Sequence, residues 1–193
     1  MMSNTAIAKS IQKPCLSVKA QTLATLLAIA SAVVLPLFFH LLGTVSGLGT
    51  IPGDVFLPMH LPIILVGLLA GPYAGGISGL LAPLVSFALS GMPGTVILPF
   101  MVMELFVYGL SAGLLRNSKL PTIAKVFVSQ IAGRLAYLLT ILASIYVFEN
   151  ENLVFSNVLS SMRSGIFGIV LQLILFPLIV YRIENMIRNQ DAS

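Results

Sequence analysis

Glu104 and Arg134 stand out chemically, because each lies within a long apolar stretch that holds no other charge nearby. In a bilayer a mid-depth charge costs about 2.5–3.5 kcal/mol even on the lenient insertion scale, so such a residue faces a cavity or a partner. At about 1.5 Å per helical residue, Glu104 lies roughly 12 Å and Arg134 roughly 21 Å from the outer ends of their helices. Two long side chains can bridge the remaining ~9 Å. Tyr108 sits one turn from Glu104, and Gln130 and Tyr137 sit one turn either side of Arg134, the spacing that shares a helix face. These two facing polar–aromatic stripes either join two helices through an ion pair or polarise a cavity for a ligand.

Other residues offer weaker chemistry. His60 lies between Pro58 and Pro62 and His40 near the end of the first apolar run, each a solvated interfacial side chain or a rim contact for a ligand. Gln172 follows Gly165 and Gly168 on one face and serves an interhelical hydrogen bond or a ligand contact. Arg163, near the outer mouth, is either a snorkelling anchor or a gate for an anionic solute. Small residues recur at four-residue spacing in Ala24, Ala28 and Ala32, in Gly75 and Gly79, and in Gly109 and Gly113. Such ridges let helices approach closely, within the chain or, for the first helix, against a partner. A GxxxxGK[ST] phosphate loop, an HExxH pair and a GxSxG elbow are all missing, which disfavours ATP hydrolysis, zinc proteolysis and serine hydrolysis on this chain. Cys15 is the lone cysteine, so neither an intrachain disulfide nor a Cys-rich metal site can form. No cofactor or metal is expected.

The elements that position these residues follow from composition. Of 193 residues, 58% are hydrophobic and only 8% charged, with mean hydropathy +1.03. Soluble domains carry about 25% charge, so sixteen charges cannot cover a water-exposed surface of this size. The net charge of +4 comes from dispersed cations rather than a basic stripe, which excludes a nucleic-acid partner. A membrane-spanning helix takes about 20 apolar residues. The pattern predicts an all-α membrane protein with six transmembrane helices, near 21–42, 59–71, 74–90, 96–115, 121–148 and 160–181. The breaks are Gly/Pro-rich at 43–58, 71–76 and 90–94, and polar at 116–121 and 149–152. The apolar run near the N-terminus continues to Leu42, too far for a cleaved signal segment.

Charge placement sets the orientation. Lys9, Lys13, Lys19, Arg116, Lys119, Lys125, Arg182 and Arg188 fall on one side of a six-helix chain, and Asp54, Glu149 and Glu151 on the other. The positive-inside rule puts both termini in the cytoplasm. The expected organisation is a basic cytoplasmic tail at 1–20, a membrane domain at 21–183 and a cytoplasmic tail at 184–193.

The run Met59-His60-Leu61-Pro62 through Gly71-Pro72, continuing to Gly75, Gly76 and Gly79, resembles the helix two/three signature of energy-coupling factor (ECF) transporter S components. Glu104-Leu105 with Tyr108-Gly109-Leu110 and Gly113 resembles the fourth helix of one subgroup. Ala132-Gly133-Arg134 with Tyr137 resembles its fifth, and Gly168 to Leu173 with Pro177 its sixth. The resemblance covers residues 20–183. It implies the substrate-binding subunit of a vitamin importer in a bacterial cell membrane, capturing its small-molecule substrate from outside. Its partners would be a transmembrane coupling subunit, which docks on the ridge Ala24, Ala28 and Ala32, and two ATPases. Arg134 would then meet a carboxylate or other acceptor, as in pantothenate, while Glu104 accepts hydrogen bonds or balances Arg134. Tyr108 and Tyr137 would stack and hydrogen-bond, with His60 and Gln172 at the rim. The alternative is a stand-alone proton-coupled transporter or channel in which Glu104 carries protons; a small membrane enzyme is the minority reading.

Overall fold

Apolar sequence with few interruptions folds as helix, and the turns fall where Gly, Pro and polar residues cluster. The computed structural model describes residues 16–49, 58–146 and 166–190. These form six helices: α1 (Val18–Val45), α2 (His60–Ala70), α3 (Pro72–Ser90), α4 (Leu98–Leu115), α5 (Thr122–Tyr146) and α6 (Ile166–Gln190). There is no strand among the described residues. The loop acids Asp54, Glu149 and Glu151, together with Arg163, Lys9, Lys13 and Cys15, lie outside the described residues.

Helix α1 starts at Ser17, whose hydroxyl accepts from the Ala20 N–H at 3.3 Å and so satisfies one of the helix's free first-turn donors. It therefore begins three residues before the predicted membrane entry. At the other end of the chain, α6 was expected to finish near residue 181 but continues to Gln190. Residues such as Arg182, Glu184, Met186 and Arg188 are good helix formers, so the helix outlasts its apolar stretch. The predicted tail boundary at 184 thus falls inside a helix.

By length and composition α1, α3, α4 and α5 can cross a membrane. Helix α2 has 11 residues, a rise of roughly 16 Å that falls short of a hydrocarbon core. The apolar part of α6 is Gly168–Val180. The outward faces suit lipid: α1 exposes Leu23, Leu26, Leu27, Val34, Phe38 and Leu41.

Helix α4 is the hub, packed against α2, α3 and α5, while α1 lies across α2 and α3, and α6 leans mainly on α5. The core runs through Ile63, Ile64, Leu105, Tyr108, Ala112, Val126 and Phe176, all nearly or fully buried. The glycine ridges explain the α3–α4 seam. A Cβ on Gly75 would strike the Gly109 carbonyl, and one on Gly109 would strike the Gly75 carbonyl. The two backbones touch, so only hydrogen fits at these positions. The alanine ridge also packs inward. Ala28 and Ala32 are buried, and Ala28 clusters with Val66, Ala70 and Ala74, with half-buried Ala24 at the edge.

Candidate functional site

Three helices each deliver one polar group to the same point. Glu104 on α4 places its Oε1 3.1 Å from Arg134 Nη1 on α5, and His60 Nε2 on α2 approaches the same oxygen at 3.7 Å. One turn further along α4, the Tyr108 hydroxyl donates to that oxygen at 3.0 Å. The predicted ~9 Å difference in depth is bridged by the two side chains themselves. Glu104, Tyr108 and His60 are all buried, while the Arg134 side chain keeps 14% exposure.

Local sequence makes room for this cluster. Tyr108 lies against α5 at Gly133, where a Cβ would come within 2.7 Å of the ring. Glycine beside Arg134 therefore lets the tyrosine sit between the helices and still reach Glu104. The His60 ring meets Tyr108 edge-on at a centroid distance of 5.1 Å, a favoured aromatic arrangement. His60 was expected near a helix end as a rim residue. It does open α2, but it is 3% exposed and belongs to the cluster itself.

A carboxylate held by a guanidinium, a phenol and an imidazole edge is more than a minimal helix staple. Among the described residues, Arg134 Nε and Nη2, both His60 ring nitrogens and Gln130 Oε1 are buried with no hydrogen-bond partner. Buried polar groups are nearly always paired, so these unpaired ones set the cluster apart from a plain joint between helices.

The remaining predicted residues sit around this centre. Tyr137, one turn from Arg134, is buried and packs with Phe100 and Ile141. Gln172 accepts a hydrogen bond from Gln130 Nε2 at 2.9 Å, joining α5 to α6. This is the interhelical option of the two the sequence left open. Gln172→Leu should lower the unfolding midpoint, because it strips Gln130 of its acceptor at a cost of about 1–3 kcal/mol. The double variant Gln130→Leu/Gln172→Leu should recover most of that loss. Thermal denaturation in detergent measures both. The roles of Gln130 and Gly133 escaped sequence reasoning. Gln130 stood only as a member of a polar stripe, and nothing near Gly133 announced that a ring would lie over it.

The alanine ridge packs largely within the bundle. Ala28 and Ala32 face α2 and α3, because small side chains are what allow α1 to lie close to them. Only Ala24 keeps partial exposure. At the C-terminal end of α4, Arg116 caps the helix with 8% exposure, and its carbonyl accepts from Lys125 Nζ at 2.8 Å, closing the α4–α5 turn. Those two cations are structural. No group of three or more metal-ligating side chains occurs among the described residues.

Apolar helices packed around a buried polar constellation define a helical membrane protein. The family comparison carries this further: residues 21–180 match the ECF transporter substrate-specific component, and the chain belongs to that family. It is thus an integral membrane, substrate-specific subunit of a transporter rather than an enzyme, and membership implies a partnership with coupling and ATPase subunits. No curated protein and no solved structure matches the chain.

Proposed function

We propose that this chain captures a water-soluble vitamin or related micronutrient at the outer face of a bacterial plasma membrane and hands it to an ATP-driven importer. The observation that carries the reading is the buried meeting of His60, Glu104, Tyr108 and Arg134 from three helices, with donors left over. Tyr137 flanks the solute, Gln172 holds α6 against the site through Gln130, and both termini are cytoplasmic. Pantothenate, small and anionic, is the candidate solute that a buried arginine between tyrosines suggests. A coupling subunit and two ATPases supply the energy, since no phosphate loop is present in the sequence.

Mass spectrometry of the solute that co-purifies with the detergent-solubilised chain tests the capture step; a vitamin-sized polar molecule is expected. Uptake in cells tests the energetics. Import that stops when the partner ATPases are removed supports the reading, whereas import that needs only a proton gradient replaces it with a stand-alone transporter.

Docking on the coupling subunit involves the Ala24 end of the alanine ridge, where α1 is still partly open. Ala24→Trp is expected to abolish uptake while leaving solute affinity within about twofold, since Ala24 packs with Ala28, Val66, Ala70 and Ala74, none of which belongs to the polar cluster. Uptake at the wild-type rate would remove α1 from the docking surface.

A further inference from the structure

Among the described residues, the arginine at the centre of the site uses only one of its nitrogens. Nη1 meets Glu104 at 3.1 Å, whereas Nε and Nη2 are buried and have no acceptor among the described residues. These two nitrogens form one edge of the planar guanidinium, and their N–H bonds run parallel at the spacing of a carboxylate's two oxygens. We propose that this Nε/Nη2 edge seats a carboxylate of the captured solute side-on, while Glu104 only holds the guanidinium in place from Nη1. The assignment rests on the capture reading above and specifies its chemistry: the solute is a carboxylate, and Glu104 is a positioning residue that does not touch it.

Three features support the division of roles. First, Glu104 Oε1 is shared among Arg134, the Tyr108 hydroxyl and the approaching His60 ring, so no one donor takes its full charge. Arg134 therefore retains attraction for a second anion. Second, the Tyr108 hydroxyl holds the carboxylate from its own helix, with the Tyr108 ring seated against Gly133 of α5, which fixes the rotation of the guanidinium it holds. A fork whose orientation is set before binding loses less entropy on pairing. Third, buried N–H groups that lack acceptors cost free energy until one arrives, and a bidentate oxyanion satisfies both together. An uncharged hydroxyl accepts without offsetting the charge, and a cation such as an ammonium accepts from neither.

The test uses the full chain in lipid nanodiscs with ¹⁵N-labelled arginine, reading the Arg134 Nε–H resonance, which is assigned by its loss in Arg134→Lys. Two matched probe pairs are titrated: pantothenate against its alcohol panthenol, and propionate against propionamide. Propionate is expected to move the resonance saturably, and propionamide to bind about tenfold or more weakly, the worth of one charge-assisted hydrogen bond. Arg134→Lys keeps the charge but loses the fork, and should lose that preference. Glu104→Gln keeps an acceptor for Nη1 and removes a competing negative charge, so carboxylate affinity should hold or rise. A drop of tenfold or more in Glu104→Gln would instead place Glu104 on the solute. If propionate leaves the resonance unmoved up to its solubility limit, or propionamide matches it, the carboxylate seat is wrong. If propionate binds and pantothenate does not, the seat stands and pantothenate is withdrawn as the solute.

Discussion

Arg134→Ala should purify as a folded protein that binds its co-purifying solute at least about a hundredfold more weakly, the loss expected when two charge-assisted hydrogen bonds disappear. Folding survives because Glu104 keeps the Tyr108 hydroxyl at 3.0 Å and the His60 ring at 3.7 Å as partners. The converse change is harsher. Glu104→Ala leaves a guanidinium that cannot shed its charge, with Nη1 now as unpaired as Nε and Nη2. Breaking a buried pair in that way costs about 3–5 kcal/mol, so this variant should melt far lower than Arg134→Ala. Isothermal titration with the identified solute and thermal unfolding in detergent check the two halves. Equal affinities for wild type and Arg134→Ala would take Arg134 out of the site.

The largest effect on stability is expected from Gly109→Val. Its Cβ would land on the carbonyl of Gly75, where backbone rather than a movable side chain is in the way. Overpacking that a side chain can relieve costs about 1–3 kcal/mol. Here α3 and α4 must separate along their seam, which also carries the contacts of Gly79 with the Leu105 carbonyl and of Gly113 with Pro72. Aggregation on size-exclusion chromatography, or an unfolding midpoint too low to measure, is the expected result. Gly133→Ala provides the comparison, since its neighbour is the Tyr108 ring and a ring can tilt. That variant should fold, with weakened solute binding, because the tyrosine can no longer hold Glu104 as squarely. A normal melt for Gly109→Val would mean that the α3–α4 seam is looser than its geometry implies.

Much of the helical layout was legible because apolar runs and Gly/Pro breaks are local signals. The predicted starts and ends of α2 and α4 fall within two residues of the observed ones. Glu104 and Arg134 were legible for an energetic reason: a charge inside an apolar helix is too costly to be incidental. His60 was not, because a histidine at a helix end looks the same whether it meets water or folds over a neighbouring tyrosine. The Gln130–Gln172 bond joins residues 42 positions apart, and a single sequence says nothing about which polar residues face each other. The alanine ridge taught a similar lesson. Four-residue spacing shows that something comes close, but not whether it is α2 and α3 or another protein.

The contact between α3 and α4 has a mechanical consequence. Where the backbones touch at Gly75 and Gly109, no side chain lies between the two helices to repack, so along that seam they move as one plate. Glu104 and Tyr108 ride on that plate, and Arg134 rides on the neighbouring α5. The ion pair is therefore a clasp between that plate and α5. Any group that drew on the Arg134 guanidinium would act on how firmly α5 is held to the α3–α4 pair.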